Sequence, residues 1–145
     1  MTAISQKAIC GTWTLTSYVS TAADGAAIEN FGAAPKGIAM FDAHDNFSIV
    51  IVRPDLPRFA SGNRERGTAE ENGAVVRGSI AYFGRYSLSE TGGGVIFEIL
   101  GATLPNWIGT TQKRGAAMAS ADELVLTNAS ASGGGSARIS WIRAR

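Results

Sequence analysis

Phe47-Ser48-Ile49-Val50-Ile51-Val52 runs into Arg53 to Thr68, RPDLPRFASGNRERGT, and then into Ala69-Glu70-Glu71. The first six residues form an apolar run with the two-residue period of a strand. Arg53-Pro54 ends it, because proline has no N–H to give a ladder. Two prolines and four arginines between Arg53 and Thr68 exclude an ordinary hairpin turn. Thr68 then stands three residues before Glu71, the capping-box spacing of a helix start. Asn72, Val76 and Ile80 recur at helical spacing, which predicts one helix from about Ala69 to Ser79. A single helix lodged after a third strand fits a lid over one end of a β-barrel. A β-sandwich is the alternative architecture.

The chain on either side reads as strands. Gly11 to Val19, GTWTLTSYV, alternates strictly. Trp13, Leu15, Ser17 and Val19 share one face, and Thr12, Thr14, Thr16 and Tyr18 share the other. Thr21 to Pro35 reads as a long connection holding a tight Asp24-Gly25 turn. Lys36 to Ala43 is the second strand, and the polar Asp42–Asn46 segment joins it to Phe47–Val52 as a hairpin. Further strands are expected at Tyr82–Leu88, Gly94–Gly101, Trp107–Gly115, Glu123–Asn128 and Ser136–Arg143. The glycine clusters at Gly92–Gly94 and Gly133–Gly135 read as turns between them; neither opens a helix, so neither is a phosphate cradle. About eight regularly spaced strands with one helix predict an all-β fold, an antiparallel up-and-down barrel of a size that can hold one small ligand.

Length and composition set the outer bounds. The 145 residues suffice for one domain with a single core, so residues 1–145 are read as one barrel. Hydrophobic content of 45% against 17% charged residues excludes a disordered chain. A net charge of +1 offers no field for nucleic acid or anionic membrane. No apolar run approaches the roughly 20 residues of a membrane span. The N-terminus lacks a charged-then-apolar secretion pattern, and Cys10 is the only cysteine, so no internal disulfide forms. These features predict a cytoplasmic protein. Cys10 itself reads as a small buried hydrophobe.

Several ordered stretches then resemble the bacterial lipocalin-like domain family, a calycin-type barrel. Gly11-Thr-Trp13 resembles the GxW that opens the first strand of such barrels. Pro35-Lys-Gly37, Arg53-Pro54, Arg58-Phe-Ala60, Gly67-Thr-x-Glu-Glu71, Ala81-Tyr-Phe-Gly-x-Tyr86, Pro105-Asn-Trp-x-Gly-Thr110 and Trp141-x-Arg143 follow in order across nearly the whole chain. The resemblance implies a barrel with a pocket for a small, largely apolar molecule. It also implies that Trp13 packs under Arg143 to close one end, with Trp141 in the same plug. A histidine is expected near the Gly94–Gly101 strand in this family; Val95-Ile-Phe-Glu-Ile99 has none. No mechanism through that histidine carries over.

Candidate ligand contacts follow from residue type and position. Tyr82 and Tyr86 share a face with Gly84 and Leu88, and an inward tyrosine offers apolar area plus one hydroxyl. Trp107 stands after a turn, at the pocket mouth or plugging one end. Gln112 and Arg114 alternate with Thr110, and an inward pair would hold a carboxylate, carbonyl or enol oxygen. The parity of Trp107, Gly109 and Thr111 counts against an inward Arg114. Arg53 and Phe59 come from the loop, the expected gate. His44, the only histidine, reads as an exposed turn residue and recommends no metal site. Glu70 and Glu71 fit a helix start and form no spaced acid/base pair.

These residues predict binding of a small hydrophobic molecule with a carboxylate or carbonyl handle, without cofactor, nucleic acid or membrane. The alternative is a cofactor-independent isomerase, cyclase or lyase that holds such a molecule in the barrel. A filled barrel serving as an interaction protein is the third reading. A homodimer is compatible with the sequence and not specified by it.

Overall fold

The computed structural model describes residues 3–129 and 135–145. In chain order the elements are α1 (Gln6–Ile9), β1 (Gly11–Thr21), β2 (Ala27–Ile28), β3 (Lys36–Phe41), β4 (Asn46–Val52), α2 (Ala69–Gly78), β5 (Ser79–Leu88), β6 (Gly94–Ala102), β7 (Thr111–Ser120), β8 (Glu123–Asn128) and β9 (Ser136–Arg143). A 3-10 turn, Pro105–Trp107, precedes β7. All pairings are antiparallel, and β1 pairs with both β3 and β9. β1 and β3 to β9 therefore close an eight-stranded barrel, with the two-residue β2 hooked onto the end of β1. The Gly133-Gly134 part of the expected last turn lies outside the described residues.

Alternation puts one set of side chains inside. Trp13, Phe41, Phe47, Ile49, Phe97, Ile99, Leu124 and Trp141 are all buried and form one cluster. Phe97 links three strands through ring contacts, 4.5 Å from Phe47 and 6.3 Å from Phe41. The Asp42–Asn46 turn forms as expected: the Asp42 carboxylate accepts from the His44 and Asn46 amides, and His44 is exposed. Asp24-Gly25 makes its tight turn between β1 and β2, with Gly25 N donating to Ala22 O at 2.8 Å.

Two local irregularities depart from strict alternation. A bulge between Leu15 and Ser17 shifts the β1–β9 register. After it Tyr18 and Ser20 turn inward while Val19 faces out, the reverse of the alternation expected for Tyr18 and Val19. A second bulge lies between Phe83 and Gly84 on β5. A Cβ on Gly84 would lie 1.9 Å from the Glu98 carbonyl oxygen, so the backbones meet there only because glycine has none.

One end of the barrel is shut. Ser5 caps α1, its hydroxyl accepting from Ala8 N at 3.1 Å. This single turn, not expected from the sequence, lies across the barrel end. The Trp13 indole N–H donates to Ile9 O at 2.9 Å. The Arg143 guanidinium stacks 4.3 Å from the Trp13 ring centroid and donates to Ala8 O at 2.7 Å and Cys10 O at 3.0 Å. Cys10 is half-buried rather than buried, with its Sγ 3.5 Å from the Tyr86 hydroxyl.

The other end carries β2, the long loop, α2 and the 3-10 turn. The capping box forms: Glu71 N donates to Thr68 Oγ1 at 3.1 Å, and Thr68 N donates to Glu71 Oε1 at 2.8 Å. Glu71 Oε2 also accepts from Ala60 N at 2.9 Å, tying the loop to the helix it precedes. The bonds from the Thr68 and Ala60 amides hold the Glu71 carboxyl below its usual range, the Thr68 bond most. No described helix is long and apolar enough to cross a membrane.

Gly84→Ala must push two paired strands apart and is expected to destabilise by about 1–3 kcal/mol or more. Thr68→Ala loses only a helix cap, about 1 kcal/mol. Urea midpoints of the two variants give the order. Burial pushes the Tyr18 and Tyr82 phenols above their ordinary value of 10.0. The unfolded chain releases these protons first, so stability falls as pH rises above about 10. Thermal unfolding across that range is expected to show a smaller alkaline loss in Tyr82→Phe than in the wild type.

Candidate functional site

The open end holds a cavity of about 510 Å³. Its walls are Tyr18 from β1, Phe31 from the β2–β3 connection, Val75 from α2, Ile80 from β5, and Leu104 and Trp107 from the 3-10 segment. Asn30 and Arg77 stand on its rim. Each wall has a local cause. The β1–β3 ladder ends at Thr14↔Ile38, so the rest of β1 has no partner on β3. Phe31, buried, fills that gap by packing edge-on to Tyr18, with ring centroids 4.8 Å apart. Pro105 starts the 3-10 turn that swings Trp107 over the barrel.

Tyr82 lies one inward position deeper than Ile80 on β5. Its ring meets Trp107 edge-on at 5.1 Å and Phe47 at 5.8 Å. Neither Tyr18 nor Tyr82 has a hydrogen-bond partner for its hydroxyl among the described residues. The buried Ser20 hydroxyl and the Trp141 indole N–H are likewise unpartnered. Burial raises both phenols, and the positive charge of Arg114 opposes that rise at each.

Arg114 faces inward. It pairs across the ladder with the buried Val95, and Gln112 pairs with the buried Phe97; directly paired residues share a face. The parity count from Trp107 fails because Trp107 belongs to the 3-10 turn and β7 starts only at Thr111. A polar chain links mouth to interior. Thr110 Oγ1 donates to Trp107 O at 2.6 Å, Gln112 Nε2 donates to Thr110 Oγ1 at 3.4 Å, and Arg114 Nη2 donates to Gln112 Oε1. Trp107, Gln112, Arg114 and Tyr82 are thus gathered on one side of the barrel interior.

The remaining sequence candidates stand elsewhere. Tyr86 lies toward the shut end, where its hydroxyl donates to Asp42 O at 2.8 Å and its ring packs on Phe41. Arg53 makes a two-point pair with Asp55, at 2.8 and 3.0 Å, and lines a groove outside the barrel beside Leu56 and Arg77. Phe59 lines a shallow hollow with Arg58 and Arg64. Tyr18 and Phe31 were not among the candidates. The bulge that turns Tyr18 inward has no sequence mark, whereas Phe31, the one aromatic in a connection of small and polar residues, carries a signal. Among the described residues no cluster of histidine, cysteine or carboxylates could hold a metal ion.

Comparison with known proteins adds a relative and a shape. Over 73 residues the chain is 34% identical to the 4'-hydroxy-3'-methoxypropiophenone carrier protein ppsC of Aspergillus oryzae. The matched stretch takes in 46% of this chain and 66% of that protein, just under two thirds of its length. Among solved structures, a redesigned β barrel aligns over 97% of this chain and 95% of its own, with 13% identity and a TM-score of 0.49. The model of the lipocalin-like domain matches residues 10–144, almost the full length, and the chain therefore belongs to the lipocalin-like domain family.

Proposed function

We propose that this barrel binds and carries a small, largely apolar aromatic molecule through its open end. The carrying observation is the cavity of about 510 Å³ walled by Tyr18, Phe31, Ile80, Leu104 and Trp107. That volume lies within the range of small-molecule sites, roughly 300–1,000 Å³. Edge-on aromatic walls favour a flat ring, which slides between them with little loss of conformational freedom. The relative's name describes a carrier of a hydroxylated, methoxylated aryl ketone, a molecule of that kind. Tyr82, Trp107, Gln112 and Arg114 are the proposed ligand contacts, with Tyr18 and Phe31 added. Of these, Tyr18, Phe31 and Trp107 line the cavity; Tyr82 packs on Trp107, and Gln112 and Arg114 follow it inward along the chain of bonds through Thr110.

A second reading rests on those same phenols. Two hydroxyls and a guanidinium around one carbonyl oxygen would polarise it, as a cofactor-independent isomerase, cyclase or lyase requires. Turnover that survives Tyr18→Phe, Tyr82→Phe and Arg114→Ala unchanged would remove it.

The carrier reading is tested by titrating the protein with aryl ketones, fatty acids and retinoid-like compounds while following tryptophan fluorescence. Aryl ketones are expected to saturate the signal at micromolar concentration, about −8 kcal/mol. Trp107→Ala is expected to weaken them by about tenfold or more, about 1.4 kcal/mol. No saturation with any class would overturn the reading.

A further inference from the structure

Arg114 and Arg143 are the charged residues at inward positions of the described strands. Their surroundings differ. Arg143 is fully employed by the Trp13 face, by the Ala8, Cys10 and Ala121 carbonyls, and by Asp122 at 3.4 Å. Among the described residues no carboxylate pairs with Arg114. Its partners are the neutral Gln112 side chain and the Lys113 carbonyl at 3.0 Å. The nearest acid along the facing strand, Glu98, is exposed on the outer face of β6. From the other walls, Tyr18 on β1 and Tyr82 on β5 are the titratable groups that Arg114 acts on, and both are neutral.

A guanidinium offers five donors in a fixed fork. Two are used here. Partial burial with no counter-charge is a standing cost unless an anion completes the site. We propose that the polar end of the ligand is an anionic oxygen, a phenolate or a carboxylate, paired with Arg114 inside the barrel. This rests on the carrier reading and narrows it. A phenol entering the cavity gives its proton to water and binds as phenolate. The Tyr18 and Tyr82 hydroxyls, still protonated, remain available as donors to the same oxygen. Charge-assisted bonds in a low-dielectric interior are stronger than their counterparts in water.

The test uses three matched probes: a para-acyl phenol, its methyl ether and the corresponding para-acyl benzoate. Binding is followed by tryptophan fluorescence, and the phenol's ionisation by its absorbance. At a pH above the phenol's own pKa in water, the wild type is expected to hold the phenolate or the benzoate about tenfold more tightly than the ether. The absorbance of a bound phenol is expected to show ionisation about one pH unit lower than in water, the same tenfold factor expressed as a pKa. In Arg114→Met the preference for the phenol or benzoate over the ether disappears. Whichever of phenol and benzoate binds more tightly identifies the oxygen. Equal binding of all three probes, with a bound phenol titrating as in water, overturns the proposal and leaves the carrier reading standing. Failure of all three to bind overturns both. Circular dichroism of Arg114→Met separates lost binding from lost folding, and Arg114→Lys, which keeps the charge, is expected to retain part of the preference.

Discussion

β1 carries two ladders at once, and the rest of the molecule depends on that. Pairing with β3 on one side and β9 on the other leaves the sheet without an edge. Closure commits alternate residues of eight strands to one shared interior. The two ladders are unequal. The one to β3 covers Gly11 to Thr14, while the one to β9 runs on to Thr21. The wall is therefore complete at the shut end and split at the other. Phe31 and β2 occupy the split, and the cavity lies where they meet Trp107 and α2. The opening in this barrel thus follows from strand register.

The interior is graded from end to end. Toward the shut end lie Trp13, Phe41 and Ile9, with Tyr86 bonded to Asp42 O and Trp13 bonded to Ile9 O. The Tyr86 hydroxyl and the Trp13 indole N–H are satisfied there, as most buried polar atoms are, while the Trp141 indole N–H has no partner among the described residues. Toward the open end the bonding gives out. Tyr18, Ser20 and Tyr82 carry hydroxyls without partners, within an aromatic lining that would otherwise serve as ordinary core. Unsatisfied groups cost roughly 1–3 kcal/mol each when left dry. Of these, Tyr18 lines the cavity and Tyr82 packs on Trp107 in its wall.

Much of the fold is legible in the sequence because its signals are local. Thr68 and Glu71 announce the helix three residues apart, Asp42 to Asn46 announces a turn, and β8 and β9 stand where period-two alternation places them. What escaped depends on partners far away in sequence. The bulge after Leu15 exists because β9 shifts register against it, and nothing in GTWTLTSYV marks the spot. It carries Tyr18 from the outer face to the cavity. Trp107 misled in the opposite sense: the parity count assumed one strand from Trp107 to Gly115, whereas a proline-started turn separates that tryptophan from β7. The inward pair Gln112 and Arg114 was visible as a pair, but its direction was fixed only by Phe97 and Val95 across the ladder.

The arginine-rich loop shows why abundance of charge is a poor guide to a site. Arg53 is part of a segment that water reaches, and Asp55 two residues away neutralises it. A hydrated cation there costs little and says little, since exposed ion pairs are worth about 0–1 kcal/mol. Arg114 sits on a strand, where every neighbour along its face is apolar or neutral, and the fold provides it with an amide rather than an acid. A side chain placed at such a cost, among otherwise apolar inward positions, is a stronger indication of a binding partner than four arginines in a loop. The helix and loop lie at the mouth, whereas Arg114 lies on β7, facing inward with the buried Val95 across the ladder.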